Sequence, residues 1–538
     1  MKNVSEQLIK DLIDQGVDTF FGIQGGACAR LIENVVKFNG KFIPVLNEQS
    51  AGFYAHGYYM ATKKTAGLIF TTGPGLTNGL SGIAACFYDR VPLVVLVGQV
   101  VSKINIAKST NTRMVGFQEV PHLELCKPIS DNCFKIDRKD KYLDFRNNFL
   151  KNLISKVQVI EFLDDIQREK LKKKVKKYDK KSIISSNTYL SETNMRLIKK
   201  SKNPIIILGS GFAQIKNCLE LLKSIKKLNI KVSCTWGGQK IQKLITKKDN
   251  FIGLMGNHNP GLANNEIKNS DLVISLGCSL LQHQVGKNYS NFAPNAKIIY
   301  VNNDINECKR AQLQFGKRLK IINLDIINFI NHIKKLKKNK IKVRDGVESN
   351  KYDYPVNFLK AILKSINRES LIFADAGATL SWTYQAANSI EKCPSIFTSF
   401  NLHSMGYANC ASIGAAISKK KNIFCIIGDG SIPMNSQEFA WLKKYPVKLI
   451  ILDNSGYGII RQTQRAFYKS KFYGSDFLNK KSSLPSFSIE KILKSYDIKF
   501  KKVLKNEVKK DQLDWLNLSK TAKALIIKVK YEASVSTE

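Results

Sequence analysis

Short runs of apolar residues, each closed by a glycine or a polar turn, recur along most of the 538-residue chain. Between these runs lie longer segments in which apolar residues recur every three or four positions, as they do on one face of a helix. Short buried strands that alternate with helices are typical of open α/β sheets, whose parallel strands are covered on both faces. The pattern therefore predicts an α/β fold with mostly parallel sheets.

Two Lys-rich stretches with little apolar periodicity interrupt this alternation, at about 168–190 and 334–350. They divide the chain into three units of ordinary domain size. We predict an N-terminal domain at 1–167, a linker at 168–190, a central domain at 191–340 and a C-terminal domain at 351–538.

The most informative stretch is 424–464, in which two apolar strands flank a glycine turn and a helix. The first strand ends at a Gly-Asp-Gly turn containing Asp429, and Asn454 follows the second strand 25 positions later. A βαβ connection returns the chain beside its start, so the two side chains can converge. Their oxygens, together with phosphate oxygens near the helix N-terminus, would suit Mg²⁺. The stretch predicts a diphosphate held through a metal, whereas the glycine turn alone would also fit an ordinary βαβ unit.

Polar residues and glycines follow other predicted strands as well. Glu48 comes just after the apolar run 42–46, and we interpret it as the end of a buried strand, where a carboxylate needs a partner. A solvated strand end is an equally good interpretation on spacing alone. The Gly209-Ser210-Gly211 turn is a weak sign of nucleotide binding, because the rest of the glycine fingerprint is missing.

The formal charge of +42 raises the alternative of a nucleic-acid or membrane-surface protein. The lysines are dispersed, however, and Asn, Ile and Lys are abundant together, as a coding bias toward A and T would produce. No run of 18 apolar residues predicts a membrane span, and the first residues lack the apolar core of a signal peptide. Eleven cysteines without CxxC spacing favour reduced thiols. We predict a cytoplasmic enzyme without nucleic-acid or membrane partners.

Taken together, the motifs resemble those of the thiamine-diphosphate-dependent acetolactate synthase family. The turn with Asp429, followed by Asn454, resembles the cofactor signature of that family, with Asp453 in place of the first Asn of a pair. The segment VLNEQSAGFYAHGYYMATKK resembles the segment with the HEQ triplet, with Asn47 in place of the His; FGIQGGA, TTGPGLTN and GFQEV resemble further motifs. The resemblance implies three open, mostly parallel α/β domains of the pyruvate oxidase/acetolactate synthase type.

The same resemblance implies thiamine diphosphate (ThDP) and Mg²⁺ as cofactors. It assigns catalytic roles to Glu48, whose counterpart hydrogen-bonds the cofactor's pyrimidine ring, and to Gly26 and Gln118. The implied metal ligands are Asp429, Asn454 and Gly456. The implied cofactor-binding residues are Gly377, Ala378, Thr379, Ser404, Met405, Gly428, Gly430, Ser431 and Tyr457. In the family, Glu48 of one subunit serves the cofactor anchored by another, which implies a homodimer or homotetramer.

The implied reaction is decarboxylation of a 2-keto acid, pyruvate, with transfer of the two-carbon unit to an acceptor carbonyl. The acceptor stays open, because 277–283 lacks the family's carboxylate-gripping arginine, for which His283 would be a weak substitute. In addition, the segment 457–464 resembles the corresponding segment of acetolactate synthase-like proteins that act in surface-polysaccharide pathways. A 2-keto acid and a nucleotide-linked keto-sugar are therefore both expected acceptors. The segment 253–277 resembles a domain that holds FAD in many members, so FAD is a third candidate cofactor.

Two other functions compete with this interpretation. A simple 2-keto acid decarboxylase would need an acid to protonate the carbanion, commonly from an adjacent His pair, and the chain has no His-His pair. A non-catalytic homologue is the second alternative, against which the joint presence of Glu48, Asp429 and Asn454 argues.

Overall fold

The computed structural model describes residues 2–148, 156–171, 190–245, 250–334, 336, 354–419, 421–468, 471–478, 481–503 and 507–536. Most of the predicted linker at 168–190 and of the Lys-rich break at 334–350 lies outside the described residues. The elements form three six-stranded sheets in which every pair of neighbouring strands is parallel. The predicted α/β class with parallel sheets is confirmed.

The first sheet has the strand order β2-β1-β3-β4-β6-β5. Its strands are β1 (Thr19–Gly22), β2 (Lys41–Pro44), β3 (Ala66–Phe70), β4 (Leu93–Gln99), β5 (Asn132–Ile136) and β6 (Val157–Leu163). Its helices are α1 (Val4–Asp14), α2 (Ala29–Lys37), α3 (Glu48–Thr62), α4 (Pro74–Tyr88), α5 (His122–Cys126), α6 (Lys139–Asn148) and α7 (Asp164–Arg168).

The second sheet has the order β12-β11-β10-β7-β8-β9, the doubly wound order of dinucleotide-binding folds. Its strands are β7 (Pro204–Leu208), β8 (Lys231–Cys234), β9 (Phe251–Leu254), β10 (Leu272–Leu276), β11 (Lys297–Val301) and β12 (Leu319–Ile322). Its helices are α8 (Glu192–Lys200), α9 (Ser210–Gln214), α10 (Cys218–Lys226), α11 (Leu262–Lys268), α12 (Gln282–Val285), α13 (Ile305–Phe315) and α14 (Ile326–Ile333).

The third sheet has the order β14-β13-β15-β16-β18-β17, which repeats the connectivity of the first sheet. Its strands are β13 (Leu371–Ala374), β14 (Ser395–Phe397), β15 (Ile423–Gly428), β16 (Lys448–Asp453), β17 (Lys499–Val503) and β18 (Lys523–Lys528). Its helices are α15 (Tyr354–Ser365), α16 (Ala378–Asn388), α17 (Tyr407–Ala416), α18 (Ile432–Asn435), α19 (Gly458–Tyr468), α20 (Ile489–Ser495) and α21 (Lys510–Asn517).

The structure corrects the predicted position of Glu48. Strand β2 ends at Pro44, and Glu48 is the first residue of helix α3 rather than the last residue of a strand. The reason is the cap: the Asn47 side chain accepts the Gln49 N–H at 2.9 Å, which turns the chain into the helix. Glu48 is half-buried at this helix end.

Helix α3 joins the first unit to the third through small residues that allow close packing. A Cβ atom at Gly57 would lie 1.8 Å from the Ala411 carbonyl oxygen of α17, so only glycine fits there. A buried polar network adds to this contact: the His56 ring is 3.0 Å from the Asp89 carboxylate and 2.7 Å from the Tyr407 hydroxyl. Since every one of these groups is buried, the two units are packed as one body at this point.

Across the described ranges, no helix combines the length and apolar character that a membrane span requires.

Candidate active site

Three oxygen atoms meet at the edge of the third sheet where β15 and β16 end side by side. The Asn454 amide oxygen lies 3.1 Å from Asp429 Oδ1 and 2.7 Å from the Gly456 carbonyl oxygen. With the amide turned over, its N–H groups donate to both oxygens and satisfy them; with the amide oxygen inward, a cation between the oxygens would take the place of these bonds. Asp429 and Asn454 are both buried. A carboxylate, an amide oxygen and a carbonyl oxygen form the oxygen-only set that Mg²⁺ prefers, so the residues fit this ion.

The electrostatics of Asp429 also favour a cation. Burial and the nearby Asp453 carboxylate raise the pKa of Asp429 to about 7, although the Gly456 N–H donates to Oδ2 at 2.9 Å. The negative charge is therefore costly at this buried position, and a bound cation would stabilise it. In the part of the chain that the structure describes, no group of three His, Cys, Asp or Glu side chains offers another metal site.

The turns beside this cluster leave room that only glycine provides. Gly377 has φ 79° and precedes the eleven-residue helix α16, whose N-terminus no side chain caps. A Cβ atom at Gly428 would lie 3.0 Å from the Thr379 hydroxyl, and one at Gly430 would lie 2.5 Å from the Tyr457 ring. Free N–H groups at a helix start attract anionic oxygens. Segments 377–379 and 428–431 thus offer an anion cradle next to the three oxygens.

Asp375 is a site residue that the sequence analysis missed. It follows β13 directly, as Asp429 follows β15, and it is fully buried. Its carboxylate accepts the N–H groups of Ala376, Gly406 and Ala408 at 2.9, 3.1 and 2.7 Å, and burial raises its pKa to about 6. These bonds fix the turn that carries Ser404 and Met405, both half-buried. A carboxylate at a buried strand end was the signal that could have found it.

The first sheet gathers the other predicted residues along the segment that starts α4. The Glu48 carboxylate accepts from the Asn78 Nδ2 at 3.2 Å. Gln118, with φ 62°, lies over Gly73, where a Cβ atom would be 2.8 Å from its carbonyl oxygen. The neighbouring Gly25 packs on Thr71, and Gly26 beside it is exposed. The structure thus brings Glu48, Gln118 and the Gly26 turn to segment 71–78.

Glu48 and the Asp429 cluster are held by separate sets of contacts. No hydrogen bond or ion pair among the described residues joins the Glu48 side chain to Asp429, Asn454 or Gly456. The start of α3 is instead anchored through Glu438, a fully buried residue that the sequence analysis missed. Glu438 accepts the Leu46 N–H and the Tyr54 hydroxyl, both at 2.8 Å.

The central unit does not fit FAD in the crevice between β7 and β10, where doubly wound sheets bind dinucleotides. The Gly211 N–H donates to the Gly277 carbonyl at 2.9 Å, and the Gly209 N–H donates to the Leu276 carbonyl at 3.0 Å. A Cβ atom at Gly209 would lie 2.2 Å from the Gly277 oxygen. The two loops touch backbone to backbone, so the N–H groups of Gly209 and Gly211 are not available to a pyrophosphate and the loops meet where it would lie.

His283, considered above as a weak substitute for the missing arginine, lies against His403 with ring centroids 5.9 Å apart. Burial and the neighbouring His403 lower the pKa of His283 to about 4. It is therefore neutral at pH 7 and offers no positive charge to a carboxylate.

The predicted acceptor segment 457–464 contributes few free side chains. Arg461 is buried, and Gln462 exchanges two hydrogen bonds with the backbone of Val535 at 2.8 and 2.9 Å. An apolar cavity of about 280 Å³ lies next to it. The cavity is lined by Gly430, Pro433, Tyr457, Phe477, Leu484, Pro485, Ser486, Phe487 and Ile492.

Comparison with known proteins agrees with this geometry. Three models of thiamine pyrophosphate enzymes match the chain: the N-terminal TPP binding domain at 2–119, the central domain at 192–322 and the C-terminal TPP binding domain at 375–526. A probable acetolactate synthase large subunit of Methanococcus aeolicus is 29% identical over 93% of this chain and 88% of its own. The acetolactate synthase large subunits of Buchnera aphidicola (from Acyrthosiphon pisum, strain APS) and Lactococcus lactis (strain IL1403) are each 27% identical, over 90% and 87% of this chain and 89% and 83% of their own. The chain belongs to the acetolactate synthase-like family of thiamine-diphosphate-dependent enzymes.

Proposed function

We propose that the protein is a ThDP- and Mg²⁺-dependent carboligase that decarboxylates pyruvate and transfers the two-carbon unit to an acceptor carbonyl. The observation that carries this proposal is the cluster of Asp429, Asn454 and Gly456 oxygens beside the 428–431 turn. The relatives, which are acetolactate synthases, support the choice of substrate. When bound, ThDP supplies the carbon nucleophile and the electron sink for decarboxylation.

The third unit would hold the cofactor's diphosphate. Asp429, Asn454 and Gly456 would bind Mg²⁺, and the metal would bind the phosphate oxygens. The uncapped start of α16 at Gly377, Ala378 and Thr379 would donate N–H groups to the same oxygens, as would the turn of Gly428, Gly430 and Ser431. Ser404 and Met405 would contact the rings of the cofactor, on a turn that Asp375 fixes, and Tyr457 covers Gly430.

Glu48 would hold and return a proton at the pyrimidine ring, and the neighbouring Gly26 turn and Gln118 would position the reacting groups. The family resemblance implies that Glu48 of one subunit serves the cofactor anchored by another, and no hydrogen bond among the described residues of one chain joins Glu48 to the Asp429 cluster. We therefore propose that a second copy completes each site. The functional unit is then a homodimer or a dimer of dimers. We also propose a cytoplasmic location, with all eleven cysteines as free thiols and no nucleic-acid or membrane partner.

Two acceptors follow from different observations. The acetolactate synthase relatives favour a second 2-keto acid. The neutral His283 favours an acceptor without a carboxylate, such as a nucleotide-linked keto-sugar, because a buried anion needs a cationic partner.

Incubation with pyruvate, ThDP and Mg²⁺ should release CO₂ and form acetolactate, and chelation of the metal should stop both. Gas release and a colour assay for acetoin after acid treatment measure the two products. CO₂ release that depends on an added keto-sugar would select the second acceptor. Acetaldehyde as the sole product would show a simple decarboxylase. ThDP binding without turnover of any 2-keto acid would show a non-catalytic homologue.

We further propose that the enzyme works without FAD, since the β7–β10 crevice is closed. The purified protein should be colourless, and the supernatant after denaturation should contain no flavin fluorescence. Added FAD should change neither the thermal midpoint nor the rate. A purified protein that releases one FAD per chain would contradict this prediction.

A further inference from the structure

The Arg461 side chain lies directly behind the turn that carries two of the proposed metal ligands. Its guanidinium, 1% exposed, donates from Nη2 to the Asn454 carbonyl at 2.7 Å and from Nη1 to the Ser455 carbonyl at 3.0 Å. It also donates to the Tyr531 carbonyl at 3.2 Å and lies 4.2 Å from the centre of the Tyr531 ring.

A buried guanidinium normally has a carboxylate partner, because taking its charge out of water is costly. All the hydrogen bonds that Arg461 makes to described residues go to backbone carbonyls instead. Its Nε–H has no partner within the described part of the chain. Burying a guanidinium without a carboxylate partner costs free energy that an apolar side chain would not. We therefore infer that Arg461 serves to hold the turn at 454–456 in place.

The three carbonyls of the turn point to different partners. Those of Asn454 and Ser455 bond to Arg461, whereas that of Gly456 lies 2.7 Å from the Asn454 amide oxygen in the cluster and also accepts the Gly458 N–H at 3.2 Å. Ser455 and Gly456 have φ 63° and 127°, conformations that need support from their surroundings. A Cβ atom at Gly456 would lie 3.1 Å from Arg461 Nη1, so the guanidinium fills the inner side of the turn.

We propose that Arg461 is a positioning residue that binds two of these three carbonyls and thereby sets the geometry of the Mg²⁺ site. By bonding the carbonyls of Asn454 and Ser455, it leaves the Gly456 carbonyl for the cation. It also ties the turn to Tyr531, whose hydroxyl donates to the Asp476 carboxylate. Asp476 in turn pairs with Gly456 through a β-bridge. The inference rests on the proposed metal site.

The choice of cation separates this role from a general contribution to stability. Mg²⁺ demands a near-octahedral set of oxygens at short distance, whereas Ca²⁺ tolerates irregular sets of six to eight. A loosened turn should therefore weaken Mg²⁺ binding more than Ca²⁺ binding. A residue that only stabilises the fold would lower the thermal midpoint and leave the ratio of the two affinities unchanged.

The test compares Arg461→Met and Arg461→Lys with Arg465→Met, an exposed arginine on the same helix. ThDP is present throughout, and its binding is followed by quenching of tryptophan fluorescence as Mg²⁺ or Ca²⁺ is added. We expect Arg461→Met to lower the affinity for Mg²⁺ by roughly 10–100-fold, which is the usual effect of losing a residue that orients the metal ligands. The affinity for Ca²⁺ should fall several-fold less than the affinity for Mg²⁺. Arg461→Lys should have a Mg²⁺ affinity between those of Arg461→Met and the unaltered protein. Arg465→Met should bind both ions as the unaltered protein does.

Equal weakening of both ions, or no change in either, would overturn the inference. Circular dichroism confirms that each variant is folded. Arg461→Lys keeps the buried charge and one carbonyl bond, so it provides the measurement if Arg461→Met does not fold. If the unaltered protein shows no cation-dependent ThDP binding, the metal site itself is wrong, which is distinct from failure of the Arg461 variants alone.

Discussion

Replacing Asp429 with Asn should abolish turnover of pyruvate while leaving the fold intact. Asp429 is the only carboxylate in the proposed three-oxygen cluster, so its loss removes the negative charge that would hold Mg²⁺ and, through it, the diphosphate. We expect the rate at saturating pyruvate to fall by at least about a thousandfold, in line with loss of an essential metal. Initial rates of CO₂ release at several Mg²⁺ concentrations measure the effect.

The stability of this variant should change in the opposite direction. The pKa of Asp429 is raised in the folded protein to about 7 from the 3.8 of a free carboxyl. A raised carboxyl pKa makes folding less favourable as pH increases from the unfolded value through the folded one, because the folded state must then lose a proton at a cost. Asn carries no such cost. Without ligands at pH 8, Asp429→Asn should therefore melt at the same temperature as the unaltered protein or higher.

Asp453→Asn is the matched control, because it removes the same charge from the adjacent strand end. Asp453 pairs with Lys528 at 3.1 Å at a partly exposed position and contributes no oxygen to the cluster, although its charge acts on Asp429. We expect it to keep most of the activity. Equal loss in both variants would show that local charge matters rather than metal ligation. Full activity of Asp429→Asn would remove the metal assignment.

How much of this site the sequence could predict follows from the kind of signal each residue leaves. Asp429 and Asn454 follow apolar strands in a βαβ unit, and parallel strand ends meet by geometry, so their convergence was predictable. Asp375 left the same signal after β13 and could have been found by the same rule. Glu48 was predicted at the end of a strand but is the first residue of a helix. The apolar run 42–46 suggested a strand that continues to Glu48, whereas the Asn47 cap starts the helix there.

Other residues left no local signal because their roles depend on distant contacts. Glu438 matters because it meets Leu46 and Tyr54, nearly 400 positions earlier in the chain. Arg461 matters because its guanidinium donates to backbone carbonyls, and every residue has a backbone carbonyl, so no residue type in the sequence marks these partners. The closed crevice at Gly209 arises from backbone contact with Gly277. The Gly209-Ser210-Gly211 turn suggests a nucleotide site in the sequence, but in the structure its glycines allow close packing of two loops. Only the fold distinguishes these two explanations.

Replacing Glu48 with Gln should reduce turnover by roughly 10²–10⁴-fold, the range of a lost general acid–base group. The change keeps the shape of the side chain and a bond to Asn78, so ThDP and Mg²⁺ binding should stay within a few-fold of the unaltered protein. Single-turnover decarboxylation together with ThDP titration separates the two effects. Glu124→Gln, an exposed acid of the same unit, is the control and should keep full activity. Full activity of Glu48→Gln would remove the catalytic assignment.

Mixing the two inactive variants tests whether a site is shared between subunits. In a dimer of one Glu48→Gln chain and one Asp429→Asn chain, exchange of Glu48 between subunits leaves one site intact and the other doubly altered. Unfolding and refolding an equal mixture should therefore restore roughly a quarter of the original activity, since half of the dimers are mixed and each has one good site. If Glu48 served the Asp429 cluster of its own chain, every site would carry one defect and no activity would return. Recovery would thus place the two groups of each working site in different subunits, as the proposed dimer requires.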